Sequence, residues 1–449
     1  MLNITGHKWV VCKQTIYDST ESLFEETGPR EAFKSNLFRE LMLTTASKTS
    51  YRNGATLLNR MRREDNGISE MTLRNNVERE GIAIQRHMDE KTAAAIDEKG
   101  FTVGDNSVVT WNETGKKVLK DEFETSPEHI DAEVVCAAAA RQKLEVGTYN
   151  PSDYELSAVN ISVDEVGVKR QTESRPRDEE KEQPKRVQNT VLHVEMANET
   201  DDPKVSSSSS YILNSPSVSA GFKALFGFLC LNGLLGKTLV FFVDGAKTLN
   251  TTIAAMFEFA DIKIILDWYH LRKKMEETLS RICNNTDYRN EMLRRVMPLL
   301  WQGNVDEAVA TLKSIDRRMV KNEGQLDYLT GYLLRTRDTI PNYLLRAELG
   351  LRNSSNRGEK ANDLLVSNRQ KHNGMSWSDT GSTALASVSA IQYNNELDDW
   401  ISNGSISFKL VTRTTPRRAR RNRRSTETAY ATNPAKRMPR KKNVVKSVV

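Results

Sequence analysis

The 449-residue sequence is poor in the features that mark a function class at sight. It has four cysteines, at positions 12, 136, 230 and 283, far apart and forming no CxxC pair. That spacing argues against both a disulfide framework and a zinc signature. Histidine is also sparse, six in all. No apolar run reaches the ~20 residues that a bilayer crossing needs, so no membrane partner is expected. The opening MLNITGHKWVV lacks the charged-then-apolar order of a secretory signal, and a cytoplasmic location is expected. No internal repeat is visible. The length fits two to four folded units, and 38% hydrophobic with 28% charged residues is an ordinary soluble composition.

Charge is unevenly spread. From residue 411 onward thirteen Lys or Arg stand against one acid, Glu427, so the tail carries +12 of a net +6 and the rest of the chain about −6. TPRRARRNRR and KRMPRKK repel themselves and are expected to be disordered over 411–449. Such blocks bind polyphosphate by counterion release. Arg417, Arg418, Arg420 and Arg421 are therefore candidate DNA contacts, and association with the nucleoid follows. The competing reading is a solubilising tail without a specific partner.

Residues 1–100 read as helical. AFKSNLFRELMLTTA has apolar residues at helical spacing. SYRNGATLLNRMRRE, the turn DNG and ISEMTLRNNVEREGIAIQRHM then give helix-turn-helix spacing, with Thr72, Arg74, Asn75 and Arg79 as groove-facing candidates. Any small helical bundle could read the same way. Residues 101–155 form a linker or small mixed region. AVNISVDEVGVKRQ is a strand; the highly charged TESRPRDEEKEQPKR is an exposed loop; VQNTVLHVEM is a second strand. DDPKVSSSSS reads as a turn before a short third strand, YILN. A buried helix (SVSAGFKALFGFLCLNGLL), a strand stopped by Asp-Gly (KTLVFFVDGAK), a helix (LNTTIAAMFEFA) and a strand (IKIILD) follow. The order is β, β, β, α, β, α, β over 156–270. An all-α segment fills 271–350, and 351–410 returns to the core with a helix opening at EKANDLLVSNRQKH.

Three acids stand out in this frame. Asp164 is expected to end the first strand, Asp244 ends the fourth, and Glu359 opens the helix after the all-α segment. Each alone has a bland reading. Asp-Gly after a strand is a common turn, Asp164 could cap a hairpin, and an acid suits a helix N-terminus. Together they form an oxygen-only set that repels itself when ionised and favours Mg²⁺ or Mn²⁺. Two such ions can clamp the attacking and leaving oxygens of a phosphodiester. Within IILDWYHL, Asp267 and His270 stand close by. They either assist at that centre or tie the strand end to the sheet.

Three segments carry a resemblance: ISVDEVGVKRQ, FFVDGAKTLNTTIAAMFEFADIKIILDWYHLRKK and SSNRGEKANDLLVSNRQKHNGMSWSDTGS. Over about 160–408 the chain resembles bacterial insertion-sequence transposases of the DDE, RNase H-like class, in their Mutator-like branch. The resemblance implies an α/β fold with an RNase H-like mixed sheet, an all-α insertion between the fifth strand and the Glu helix, and a helix-turn-helix-like N-terminal region. It implies catalytic, metal-holding roles for Asp164, Asp244 and Glu359, with Asp267 and His270 as the Asp-x-x-His signature beside them. Arg369, Lys371, Gly374, Met375, Trp377 and Ser378 correspond to the run after the catalytic Glu, and Arg369 and Lys371 are taken as DNA contacts. The activity implied is Mg²⁺- or Mn²⁺-dependent cleavage and transfer of double-stranded DNA by a homo-oligomer at the ends of its own mobile element. A domesticated DNA-binding descendant, or an RNase H-like nuclease without strand transfer, is the alternative. Trp301, in the insertion, either stacks on a DNA base or is a core residue.

Overall fold

A computed structural model describes residues 35–63, 67–125, 158–171 and 184–416, apart from 199, 201, 203, 350 and 372–374. Three helices come first among the described residues: α1 (Asn36–Lys48), α2 (Tyr51–Arg62) and α3 (Glu70–Glu98). Serines 35, 50 and 69 cap them, each accepting a backbone N–H with its side chain. A small hairpin, β1 (Phe101–Val103) and β2 (Val109–Trp111), and α4 (Glu113–Thr125) follow.

The central sheet contains β3 (Ala158–Lys169), β4 (Arg186–Asn198) and β5 (Val205–Ser215), then β6 (Thr238–Val243), β7 (Ile262–Leu266) and β8 (Val411–Pro416). Their spatial order is β7-β6-β3-β4-β5-β8. β3, β6 and β7 are parallel, while β4, β5 and β8 alternate antiparallel. The parallel crossovers are α5 (Val218–Asn232) and α6 (Lys247–Met256).

β6 is buried along its whole length because each face meets a different core. Leu239, Phe241 and Val243 join one apolar cluster, with α3, α5 and the other face of the sheet; Val240 and Phe242 join a second. That strict alternation is the two-residue period of a strand. The second core belongs to the all-α segment: α7 (Trp268–Ile282), α8 (Thr286–Trp301), α9 (Val305–Lys313), α10 (Glu323–Arg335) and α11 (Tyr343–Glu348). Trp301 packs there, stacked on Tyr343 at 5.7 Å and edge-on to Trp268 at 4.6 Å, which is the core role of its two readings. After it come α12 (Asn356–Asn362), a π-helix (Asp363–Lys371), α13 (Asp379–Tyr393) and α14 (Leu397–Asn403).

The fold departs from the sequence reading in three places. Asp164 lies in the middle of β3, which continues to Lys169 paired with Arg186, so it does not end its strand. The serine run is strand, not turn. Ser206 and Ser209 pair through their hydroxyls with Thr415 (3.0 Å) and Thr412 (2.9 Å), so β5 and β8 satisfy each other's polar groups. For the same reason 411–416 belongs to the folded body; Arg417, Arg418, Arg420 and Arg421 lie outside the described residues, as do Gly374 and residues 172–183, where the sequence predicts an exposed loop.

The N-terminal helices pack against the rest of the described residues. α3 runs 29 residues and buries Leu73, Val77, Gly81 and Ile84. A Cβ on Gly81 would sit 2.3 Å from the backbone of Ala384, so α3 and α13 are in direct contact. Buried Glu80 accepts from Arg39 (3.1 Å) and from Trp400 Nε1 (3.0 Å), tying α1 and α3 to α14. Among the described residues no helix is long and apolar enough to cross a membrane.

Candidate active site

The strand registers place the acids. β3 pairs with β6 so that Ser162 faces Phe242; two positions on, Asp164 and Asp244 fall level. β6 pairs with β7 so that Val243 faces Leu266; one position on, Asp244 and Asp267 fall level. Three aspartates from three adjacent parallel strands thus share one row at the carboxyl edge of the sheet.

Asp244 sits just past β6 in an Asp-Gly-Ala turn. Its Oδ1 accepts the Ala246 N–H at 2.9 Å, the Asx turn that the sequence suggests. Gly245 has φ +87°, and a Cβ there would meet Leu266 and the Tyr332 hydroxyl at 2.9 Å, so only glycine fits. Asp244 is exposed.

Glu359 is carried to the same edge by α12, which lies across β3. A Cβ on Gly358 would stand 2.6 Å from Ser162 Cβ; the missing side chain lets helix and strand approach. Three residues past Glu359, on the same helix face, Asn362 donates its amide to Asp164 Oδ2. Glu359 Oε1 lies 3.5 Å from His270 Nε2.

Asp267 and His270 are not on an extended strand end. Asp267 is the N-cap of α7, and its Oδ1 accepts the His270 N–H at 3.0 Å. The Asp267 side chain is wholly buried, and its Oδ2 accepts both the backbone N–H of Ser355 and the Ser355 hydroxyl, the latter at 2.9 Å. Ser355 therefore gives its hydroxyl to Asp267 instead of capping α12 itself. The tying role of Asp267 is the one the geometry favours, and what it ties is the helix that bears Glu359.

A second anchor was not visible in the sequence. Glu195, on β4 and buried, accepts from Arg352 at 2.6 Å and pairs with Arg357, at either end of the loop entering α12. The only signal was an ionisable residue inside an apolar strand. Asn362 and Ser355 were also missed, although each stands one helical turn from Glu359.

Burial pushes the Asp164 carboxyl above its usual range; His270 and the Asn362 amide pull it down, and Asp244 pushes it up again. The Asp164 carboxyl thus feels the charge of Asp244. Burial, and secondarily Asp244, raise the Tyr332 hydroxyl to about 12, so it is neutral.

The donor set is all hard oxygen, and the buried Asn362 Oδ1 beside Asp164 has no partner; that chemistry suits Mg²⁺ or Mn²⁺. The spacing is looser than expected. Among the described residues no three His, Cys, Asp or Glu side chains are close enough to hold one ion together.

The DNA contacts expected after Glu359 are half corrected. Arg369 is buried, donating to Ala46 O at 2.9 Å with its guanidinium 5.1 Å from the Tyr51 and Trp377 ring centres. It clamps the π-helix to α1 and α2 and cannot face DNA here. Lys371 is exposed. Thr72, Asn75 and Arg79 are exposed, whereas Arg74 is half-buried and paired with Glu78 at 2.7 Å.

Compared with known protein families, curated proteins and solved structures, the chain matches none.

Proposed function

We propose that the chain is a DDE transposase of the RNase H-like class that cleaves and joins double-stranded DNA, acting as a homo-oligomer at the ends of a mobile element. The observation that carries this reading is the register. Asp164 and Asp244 each lie two positions past the last paired residues of the neighbouring parallel strands, Ser162 and Phe242, and α12 brings Glu359 across β3 to the same edge. The order of the first five strands of the sheet, fifth-fourth-first-second-third with the second antiparallel, and the all-α segment between the fifth strand and the Glu helix also fit that class.

In this reading the acids offer oxygen ligands at the reacting phosphodiester. Mg²⁺ or Mn²⁺, held by Asp164, Asp244 and Glu359, would polarise the phosphoryl oxygen and activate the attacking oxygen. Water attacks phosphorus and the P–O3′ bond breaks, leaving a 5′-phosphate and a 3′-hydroxyl; that hydroxyl then attacks a target phosphodiester, forming a new P–O3′ bond as the target's own P–O3′ bond breaks and its 3′-oxygen leaves. Asp267 positions α12 through Ser355, and His270 orients the Glu359 carboxylate. Exposed Thr72, Asn75, Arg79 and Lys371 are available to DNA.

The test uses a plasmid carrying the gene with its flanking DNA. Asp244→Asn is expected to abolish strand cleavage and to leave DNA binding almost intact, since Asp244 is exposed and its turn bond can be kept by Asn. Wild-type cleavage should require Mg²⁺ or Mn²⁺ and stop in EDTA. Full cleavage by the Asn variant, or in EDTA, would overturn the reading. Cleavage without joined products would favour a nuclease. Because each acid is engaged by its own partner, a DNA-binding protein without cutting activity is the second reading; wild-type binding with no cleavage in either metal would select it.

A further inference from the structure

Between α6, α7 and α10 the chain holds a cleft of about 770 Å³ that opens beside the acids; Asp244 and His270 are on its wall. Its other ionisable walls are unusual. Lys247, Lys273, Lys274 and Arg335 face it, against the carboxylates of Asp244 and Glu277. Nearby, Arg272 pairs with Glu276 at 2.8 Å and Arg337 with Asp306 at 2.6 Å. In the cleft, among the described residues, none of the four cations has a carboxylate within ion-pair distance, although Glu277 stands four residues after Lys273 on the same helix. Lys274 is instead fixed by aromatic rings. It donates to the Tyr328 hydroxyl at 2.7 Å and lies 4.8 and 5.5 Å from the Tyr328 and Tyr332 ring centres.

Four cations against two carboxylates in a concave wall leave a net positive charge that focuses the field there. It costs self-repulsion unless an anion sits there. The cations come from three elements, so the ligand must be extended enough to reach α6, α7 and α10 at once. We propose that this cleft holds successive phosphates of the DNA strand next to the scissile bond, contacted by Lys247, Lys273 and Arg335. This rests on the reading of the neighbouring acids as a strand-cleaving centre. It also gives the all-α segment a role. Arg335 and Tyr328 on α10 would clamp the strand over Asp244, so binding and cutting share one wall.

The experiment is a salt titration of DNA binding by the full chain, on a random-sequence duplex in EDTA so that no cleavage intervenes. The probe protein is the triple variant Lys247→Gln, Lys273→Gln, Arg335→Gln; all three side chains are exposed, so the fold should persist. Each lost phosphate contact flattens the log–log salt slope by about 0.9, so the variant is expected to lose roughly 2 to 3 from the slope. A control variant, Lys116→Gln, Lys117→Gln, Lys321→Gln, removes the same charge from exposed positions outside the cleft and should keep the wild-type slope. A cleft variant with the wild-type slope, or an equal loss in the control, would overturn the proposal. Cleft-dependent binding of tripolyphosphate as tight as that of the duplex would also overturn it, in favour of a free polyphosphate ligand. A wild-type chain that binds no duplex at all would instead remove the transposase reading beneath it.

Discussion

Asp267→Asn is the substitution whose effect follows most directly from the structure. The carboxylate is buried and accepts three hydrogen bonds, from the His270 N–H, the Ser355 N–H and the Ser355 hydroxyl. An asparagine has one acceptor oxygen. If that oxygen serves Ser355, its NH2 group meets the His270 N–H, donor against donor; flipped, it meets the Ser355 donors. Either way at least one buried backbone N–H loses its acceptor, at a cost of about 1–3 kcal/mol. The opening is local, so hydrogen exchange is the assay. At ~1.4 kcal/mol per tenfold, peptides covering 268–273 or 353–362 should exchange roughly 5- to 150-fold faster. Ser355→Ala removes one of the same bonds, so the two effects should not add. A double-mutant cycle should return a coupling of about 0.5–3 kcal/mol. Unchanged exchange in both peptides, or strict additivity, would refute the claim that Asp267 anchors the Glu359 helix.

Two further predictions concern pH. Burial raises the Asp164 carboxyl, so the folded chain binds its proton more tightly than the unfolded chain, and this group's contribution to stability falls as pH rises from ~4 through the raised value. Asp164→Asn is therefore expected to raise the melting temperature at pH 7 without metal, with the gain vanishing near pH 4; a destabilised variant at pH 7 would contradict this. His193 is the opposite case. Burial, with Arg352, Arg357 and Arg413, lowers it to about 3, so the unfolded chain takes up the proton first as pH falls. Stability should drop between ~6.5 and about 3, by up to ~1.4 kcal/mol per pH unit, and His193→Gln should flatten that part of a denaturation-versus-pH curve; an unchanged curve would count against a buried neutral imidazole.

Much of the sheet was readable because its residues advertise one environment. TLVFFV has no polar residue apart from its opening threonine and must be buried on both faces; Asp244-Gly245 then ends it. The missed parts are those where a local signal and a tertiary partner disagree. A serine run has little strand preference, yet Thr412 and Thr415 some 200 residues away complete β5. Arg369 looks like a DNA contact by type, but Tyr51, Trp377 and the Ala46 carbonyl provide it with a buried site. The helix-turn-helix spacing read from the sequence says nothing of the face that α13 covers. Asp267 and His270 could be seen as a pair; Ser355, 88 residues from Asp267, could not.

α12 cannot set its own orientation. Its seven residues pass without a break into the π-helix, and helical stability in proteins comes mostly from tertiary packing. Its placement must come from outside, and the sheet supplies it strand by strand. The end of β7 holds Ser355 through Asp267, β4 holds the entering loop through Glu195, and β3 meets it at Gly358 and again at Asn362. A buried ion pair such as Glu195 with Arg352 and Arg357 adds little net stability, yet removing one partner is costly. Its value here is directional, since it fixes where α12 begins. The strands that carry the aspartates are thus neighbours of, or the same as, the strands that aim the glutamate. Distortion of the sheet would move all three acids together and keep their mutual spacing, whereas loss of one anchor would move Glu359 alone.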